Sequence, residues 1–348
     1  MKDQEMLAGS GEIAEDNGTL GLTVYGNVGA DMQTVLSYTD TGQVQSSLAW
    51  LTGGFTGTEG PQGPEPAGIE IAQLWDDNGA LGLNIYGDVD GTLQPVFTSG
   101  DMGQGSAALA WLTGNFTGTG NDFTEIAQLW NDDGILGLIV YGSPAGSPQA
   151  LFANPNMSQG SSALAFLAGN FTGSGTTEIA QLWDNNGILG LIVYGIGNDT
   201  LEAVYTNPNM GQGSGALAFL PGYFAGSGTT TQIAQLWDNN GTLEMIVYGN
   251  VGNDNLGTVS AFPMYQGSSA LAFLTGNFIG SGYTQIAQTR DNNGTLQLLI
   301  YGNIGNGSLS TVFSNDISQI PNALAWVTGD FTGAGNTQIL QPWARALG

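Results

Sequence analysis

The stretch TEIAQLWDNNGILGLIVYG runs from Thr177 to Gly195. Two apolar halves flank Asn186-Gly187, a dipeptide that favours a type I′ turn because both central residues must take φ > 0. Glu178 to Trp183 and Leu189 to Tyr194 are short, aliphatic and aromatic, and bounded by turn residues. They read as the two strands of a hairpin. Closely similar strings return at Ile71, Glu125, Gln232 and Gln285, and altered forms lie near both chain ends. Asn17-Gly18, Asn78-Gly79, Asn240-Gly241 and Asn293-Gly294 repeat the turn, with Asp133-Gly134 in one unit.

Working outward, the phrase Ala-Leu-Ala-Trp/Phe, or Ser-Leu-Ala-Trp, places leucine at 48, 109, 164, 217, 271 and 324, spaced by 61, 55, 53, 54 and 53 residues. Tyr-Gly recurs at Tyr25, Tyr86, Tyr141, Tyr194, Tyr248 and Tyr301, and Gly-x-Phe at Phe55, Phe116, Phe171, Phe224, Phe278 and Phe331. Three independent markers therefore each count six. Within a unit, Ser162–Leu167, Glu178–Trp183, Leu189–Tyr194 and Leu201–Tyr205 read as four antiparallel strands. No 3.6-residue amphipathic period lasts three turns. Four strands at this period predict an all-β, six-bladed β-propeller spanning residues 1–348 as a single domain.

The N-terminal segment EIAEDNGTLGLTVYG lacks a preceding Ala-Leu-Ala strand, and the C-terminal ALAWVTGDFTGAGNTQILQPW lacks a following Tyr-Gly strand. Each supplies what the other lacks, so one blade shared between the termini is expected to close the ring. Glu12–Asn17 and Thr337–Trp343 both resemble second strands, and only one can occupy that place. The insert Thr58–Gly68 accounts for the long first spacing and reads as an enlarged loop.

Composition narrows function. The chain of 348 residues holds 29 acidic and 3 basic side chains, for a formal charge of −26. Nucleic-acid binding requires phosphate neutralisation by Lys and Arg, so no nucleic-acid partner is expected. Anionic membrane surfaces are disfavoured on the same ground, and no apolar run approaches a membrane span. With no Cys and no His, disulfides, zinc fingers and Cys/His nucleophilic machinery are excluded. The start MKDQEMLAGSGE lacks the apolar core of a signal peptide. A secreted or extracellularly acting protein is nonetheless expected from the reading below.

The phrase GNFTGSGTTEIAQLW, Gly169 to Trp183, resembles the FG-GAP or VCBS repeat of integrin α-chain propellers and Psathyrella-type fungal lectins. The resemblance extends over all six units. It implies a propeller whose loop after the first strand follows Asp-x-Asp/Asn-x-Asp-Gly-x-x-Asp and binds calcium. Here the matching positions hold Asn170, Thr172, Ser174, Gly175 and Glu178, so the glycine and last acid persist while the middle carboxylates do not. Calcium needs six to eight oxygens and gains affinity with ligand charge. The last position is Glu70, Glu125, Gln232, Gln285 or Gln338 in the other units, and Asp330 supplies an acid at the first position of one. No cofactor is expected, the calcium loops being degenerate, and Thr, Ser and Asn hydrogen bonds are expected to hold them instead.

An enzyme is not expected. Paired carboxylates are the remaining acid–base option, yet the first strands, which would line the central channel, carry none. Phosphoryl transfer lacks its Lys and Arg clamps. A sixfold feature suits binding better than catalysis. Side chains alternate faces along a strand, so Ile179, Gln181 and Trp183 share one. The pair recurs as Gln73/Trp75, Gln128/Trp130, Gln235/Trp237 and Gln341/Trp343, whereas Gln288 is followed by Arg290.

An aromatic face beside amides and carboxylates suits a neutral sugar. The candidate ligand-binding residues are therefore Trp75, Asp76, Trp130, Asn131, Trp183, Asp184, Trp237 and Asp238, with Gln73, Gln128, Gln181 and Gln235. The expected partners are glycans or glycoconjugates, bound by several weak sites on one body. Against this stands a structural or protein-interaction propeller in which the same tryptophans join blades. A second repeated loop, NPNMSQGS at Asn154–Ser161 and NPNMGQGS at Asn207–Ser214, reads either as a ligand-reaching loop or as a fixed connector. Its glutamine stands at 43, 104, 159, 212, 266 and 319.

Overall fold

The computed structural model describes residues 19–345, apart from 27–31, 44–46, 57–68, 78, 90–91, 104–107, 119–122, 143–147, 158–162, 213–214, 226–228, 252–255, 265–269, 294, 305–307, 318–322 and 334. The described residues form six four-stranded antiparallel sheets and no α-helix. In the third blade the strands are Ala163–Gly169, Glu178–Asn185, Ile188–Gly197 and Thr200–Gln212, paired in that order from the inside out. Each innermost strand touches the innermost strands of both neighbouring blades, and the six close into a ring. The protein is a six-bladed β-propeller.

The closing blade runs Val327–Gly329, Gln338–Arg345, Thr19–Gly26 and Gln33–Gln43 from the inside out. Its second strand is therefore C-terminal, and Thr19–Gly26 pairs with it along seven positions from Thr19↔Arg345 to Tyr25↔Ile339. The competing segment Glu12–Asn17 and the insert 58–68 lie outside the described residues.

The tight hairpins follow from their residues. Asn186 and Gly187 take φ of 55° and 86°, and Asn240 and Gly241 take 53° and 87°. Both central positions are left-handed, as a type I′ turn demands.

The core lies in the seams between blades. Ala180, Leu182, Leu189, Leu191 and Val193 of the third blade pack against Ile233 and Tyr248 of the fourth. Each blade thus turns its Ala/Leu face towards the next blade and its Ile/Gln/Trp face towards the previous one. A threonine clasp fixes five seams. Thr231 N–H donates to Asn170 O at 2.7 Å, and its Oγ1 accepts Asn170 N–H at 2.9 Å. Thr124, Thr177, Thr284 and Thr337 repeat this exchange. In the seam between the closing and first blades, Ile69 takes the threonine's place against Gly329.

Candidate rim site and channel mouth

The first strand starts where the second ends, since Ala163 pairs with Trp183. The tryptophans and the Asp/Asn turns therefore share one rim. Trp75, Trp130 and Trp183 each lie against a glycine of the neighbouring third strand: Gly82, Gly137 and Gly190. Trp343 lies on Gly21 in the same way. A Cβ at any of these glycines would collide with the indole. Glycine inside a strand marks a close approach, and here an aromatic ring makes it. In the fourth blade the partner of Trp237 is Glu244, and in the fifth Arg290 faces Gln297. The repeat thus exchanges both members of the pair in the fifth blade.

Backing by glycine covers one face of the ring. Trp130, Trp183 and Trp237 remain half-buried, while Trp75 is 7% exposed. Arg290 donates from Nε to Gln297 Oε1 at 2.7 Å, and Gln297 Nε2 donates to Asp316 Oδ1 at 3.0 Å.

The residue after each tryptophan closes the turn. Asp184 Oδ1 accepts Gly187 N–H at 2.5 Å, with equivalents at Asp76–Gly79 (2.6 Å), Asn131–Gly134 (2.7 Å) and Asp238–Gly241 (2.5 Å). Asp184 and Asp238 are exposed; Asp76 and Asn131 are half-buried. Each side chain therefore has a structural duty and a second terminal atom besides.

The glutamines sit elsewhere. Gln73, Gln128, Gln181 and Gln235 are 1–2% exposed. Their Oε1 atoms accept the hydroxyls of Tyr86, Tyr141, Tyr194 and Tyr248 at 2.9–3.2 Å. Tyr301–Gln288 and Tyr25–Gln341 complete the set at 2.9 and 3.3 Å. In every blade a buried amide oxygen accepts a buried phenol hydroxyl, as buried polar groups require, although Gln341 Nε2 of the closing blade has no partner. The structure thus separates the Gln set from the Trp and Asp set: the glutamines lie inside the seam and have no surface to offer a ligand. Burial also raises the Tyr25 hydroxyl pKa to about 12.

The loops resembling calcium sites turn their last acid inward. Glu178 accepts Thr172 N–H at 2.8 Å and the Thr172 hydroxyl. Glu70 accepts Phe55 N–H and Thr56 N–H at 2.5 and 2.8 Å, and Glu125 accepts Phe116 and Thr117 N–H at 2.6 and 2.9 Å. Gln232 does the same through Oε1, taking Phe224 and Ala225 N–H at 2.9 Å each. A carboxylate or an amide fills one role, holding the loop closed. Burial pushes the Glu70 carboxyl above its ordinary value, against the hydrogen bonds from Thr56 and Phe55.

The inter-blade loops are partly fixed. Met157 and Met264 are buried in the seams, and their N–H groups donate to Leu136 O and Leu243 O at 2.7 and 2.6 Å. The glutamine side chains at 43, 104, 159, 212, 266 and 319 lie outside the described residues.

Two features were missed in the sequence. The leucine of the Ala-Leu-Ala or Ser-Leu-Ala phrase falls at a register break in five blades, as between Ala108 and Ala110. Such bulges re-aim side chains, and Leu109, Leu217 and Leu271 are 40–47% exposed. At the opposite end of the channel, a shallow cup of about 270 Å³ lies where the strands of blades three to five end. Its signal in the sequence was Tyr223 standing where Asn115, Asn170 and Asn277 stand in sibling units.

No family model matches the chain, and no curated protein sequence matches it. Among solved structures it is similar to the Nup133 β-propeller domain of Vanderwaltozyma polyspora, at 10% identity over 95% of this chain and 90% of that one, with a TM-score of 0.45. It is similar to BBS1N in complex with ARL6DN at 11% identity, 97% and 95% coverage and a TM-score of 0.45. TolB from Acinetobacter baumannii gives 10% identity, 95% coverage and a TM-score of 0.42, and the chain spans 65% of TolB's length. The propeller assignment rests on the strand order and ring closure of this chain.

Proposed function

We propose that the protein is a multivalent lectin that binds neutral glycans along the tryptophan rim. One observation carries this reading. In two blades an indole, Trp130 or Trp183, lies at the rim half-buried, with one face backed by bare glycine backbone, and is followed directly by an Asn or Asp; Trp237 keeps the half-buried ring and the following Asp with Glu244 opposite. Such a platform presents an apolar face next to oxygen acceptors, which suits a pyranose ring. The ligand contacts in this reading are Trp130, Trp183 and Trp237 with Asn131, Asp184 and Asp238. Trp75 and Asp76 form a more enclosed version. The glutamines support the seam from within.

The reading is non-catalytic, uses no cofactor, and places the protein outside the cell or acting there. Nucleic acid and membranes are not its partners, because 3 basic residues oppose 29 acidic ones. Several copies of a weak site on one rigid ring give avidity without new contacts.

A second reading has an observation in its favour. Trp75 is nearly sealed, as blade glue would be, and a structural or protein-interaction propeller would use all the rings this way. A neutral-glycan array with free-sugar competition tests the choice. Competable hits that weaken in Trp183→Ala, with the fold retained, support the lectin. Silence across the array, with loss of stability in that variant, gives the rings to packing.

A further inference from the structure

Three departures from the sixfold repeat converge on the channel mouth opposite the tryptophan rim. The first is a broken hydroxyl ladder. Thr52 Oγ1 donates to Thr328 O at 2.8 Å, and Thr328 Oγ1 donates to Thr275 O at 3.1 Å. The innermost strands of the first and closing blades thus each tie to the one before. In the fourth and third blades the equivalent residues are Pro221 and Ala168. Pro221 has no hydroxyl to give to the carbonyl of Ala168, and both residues line the cup.

The second departure is Tyr223. Its backbone keeps the seam clasp, with Tyr223 N–H donating to Thr284 Oγ1 at 2.8 Å. Its side chain is 43% exposed at the cup. The third is Asn277. In the third blade Asn170 Oδ1 accepts Gly175 N–H, and in the closing blade Asp330 accepts Gly335 N–H. Asn277 Oδ1 has no such partner although it is shut off from water. A buried polar atom left unpaired is uncommon and calls for a physical account.

We infer that this cup is a single binding site for one neutral, hydroxyl-bearing ring, such as the terminal residue of an uncharged glycan. The lining carries no charged side chain, so neither an anion nor a cation has a counter-charge there. Tyr223 offers an aromatic face. The Ala168 carbonyl, which Pro221 cannot reach with a hydroxyl, is an acceptor for a ligand hydroxyl. Thr231 and Thr284 accept backbone N–H groups through Oγ1, which leaves their hydroxyl hydrogens to donate. A few placed polar groups around an apolar surface is the usual composition of a small-molecule site. The combination of Pro221, Tyr223 and Asn277 occurs once among the described residues, lies on the opposite face from the tryptophans, and does not rest on the rim reading.

The test is soaking crystals with glucose, galactose, mannose and N-acetylglucosamine separately, for the natural chain and for Tyr223→Asn. Asparagine fills this position in three sibling blades, so the variant should keep its melting temperature. The expected result is one sugar over Tyr223 in the natural chain, absent from Tyr223→Asn, with titration calorimetry losing one site per chain. An empty cup with all four sugars, or occupancy unchanged in the variant, overturns the inference. Sugar at the tryptophan rim alone overturns it while leaving the lectin reading in place. Sugar in the cup alone does the reverse.

Discussion

The indole of Trp183 lies against Gly190, its partner across the hairpin of the third blade. Gly190 is itself buried beneath the ring. The contact makes the two residues one unit, and the same unit recurs as Trp75–Gly82, Trp130–Gly137 and Trp343–Gly21.

Gly190→Ala should therefore destabilise the protein by about 1–3 kcal/mol, the usual cost of overpacking. In the Trp183→Ala background the same change should cost much less. A denaturant-based double-mutant cycle reads this directly, and additive effects would show that the two residues do not meet.

Arg290 and Gln297 occupy the same pair of positions in the fifth blade. Replacing both, as Arg290→Trp with Gln297→Gly, should build another rim platform. On the lectin reading, titration with a glycan identified on the array should gain one site per chain. An unchanged stoichiometry, in a variant that folds, would separate the ring from binding.

Glu70 and Gln232 hold equivalent loops by equivalent bonds. Glu70→Gln should thus fold and melt at or above the natural temperature at pH 7. The sign follows from the raised carboxyl pKa: the folded state favours the protonated form, so this contribution is full below the unfolded value. It is lost as pH rises through the folded value. The gap between variant and natural chain should close on acidification. Glu70→Ala removes the acceptor of two N–H groups and a hydroxyl, and should cost about 2–4 kcal/mol by the penalty for unmet buried donors. Thermal melts across pH check both.

The buried Tyr25 hydroxyl, raised to about 12, sets an alkaline limit. An unfolded tyrosine ionises near pH ~10, so between these values the unfolded chain releases the proton more readily and gains population. Stability should be flat to about pH 9 on this basis and fall as pH climbs towards 12. Tyr25→Phe should soften that fall. An unchanged alkaline profile would remove Tyr25 as its cause.

Thr289 stands where four sibling blades carry leucine, is fully buried, and its hydroxyl has no partner. Thr289→Val keeps the shape and deletes the orphan. Melting should rise, or at least not fall, by the logic of unpaired buried polar groups. A clear drop would mean that the hydroxyl is bonded, for instance through a buried water.

The fold was legible in the sequence to an unusual depth. Asn-Gly or Asp-Gly turns between apolar runs specify the hairpins of five blades by local backbone chemistry, and the complementary half-units near the two ends specify the sixth. The strands proved longer than the apolar runs suggested: Thr200–Gln212 continues well past Tyr205. Ladder hydrogen bonds accept polar residues at a strand end as readily as apolar ones.

Candidate site residues were legible by type but not by place. Gln181 and Trp183 share a strand face and a repeat, yet one is bonded to Tyr194 inside the seam and the other lies at the rim. Burial depends on what the previous blade brings against that face, which no single unit encodes. The cup at Tyr223 needed the fold still more, since Pro221, Tyr223 and Asn277 come from two blades. The sequence by itself determined the blade, the turn and their number, because these follow from local conformational preference and periodicity. Only the tertiary structure decided which polar groups were sealed and which stayed at the surface, because burial and unmet hydrogen bonds are properties of neighbours brought together by the ring.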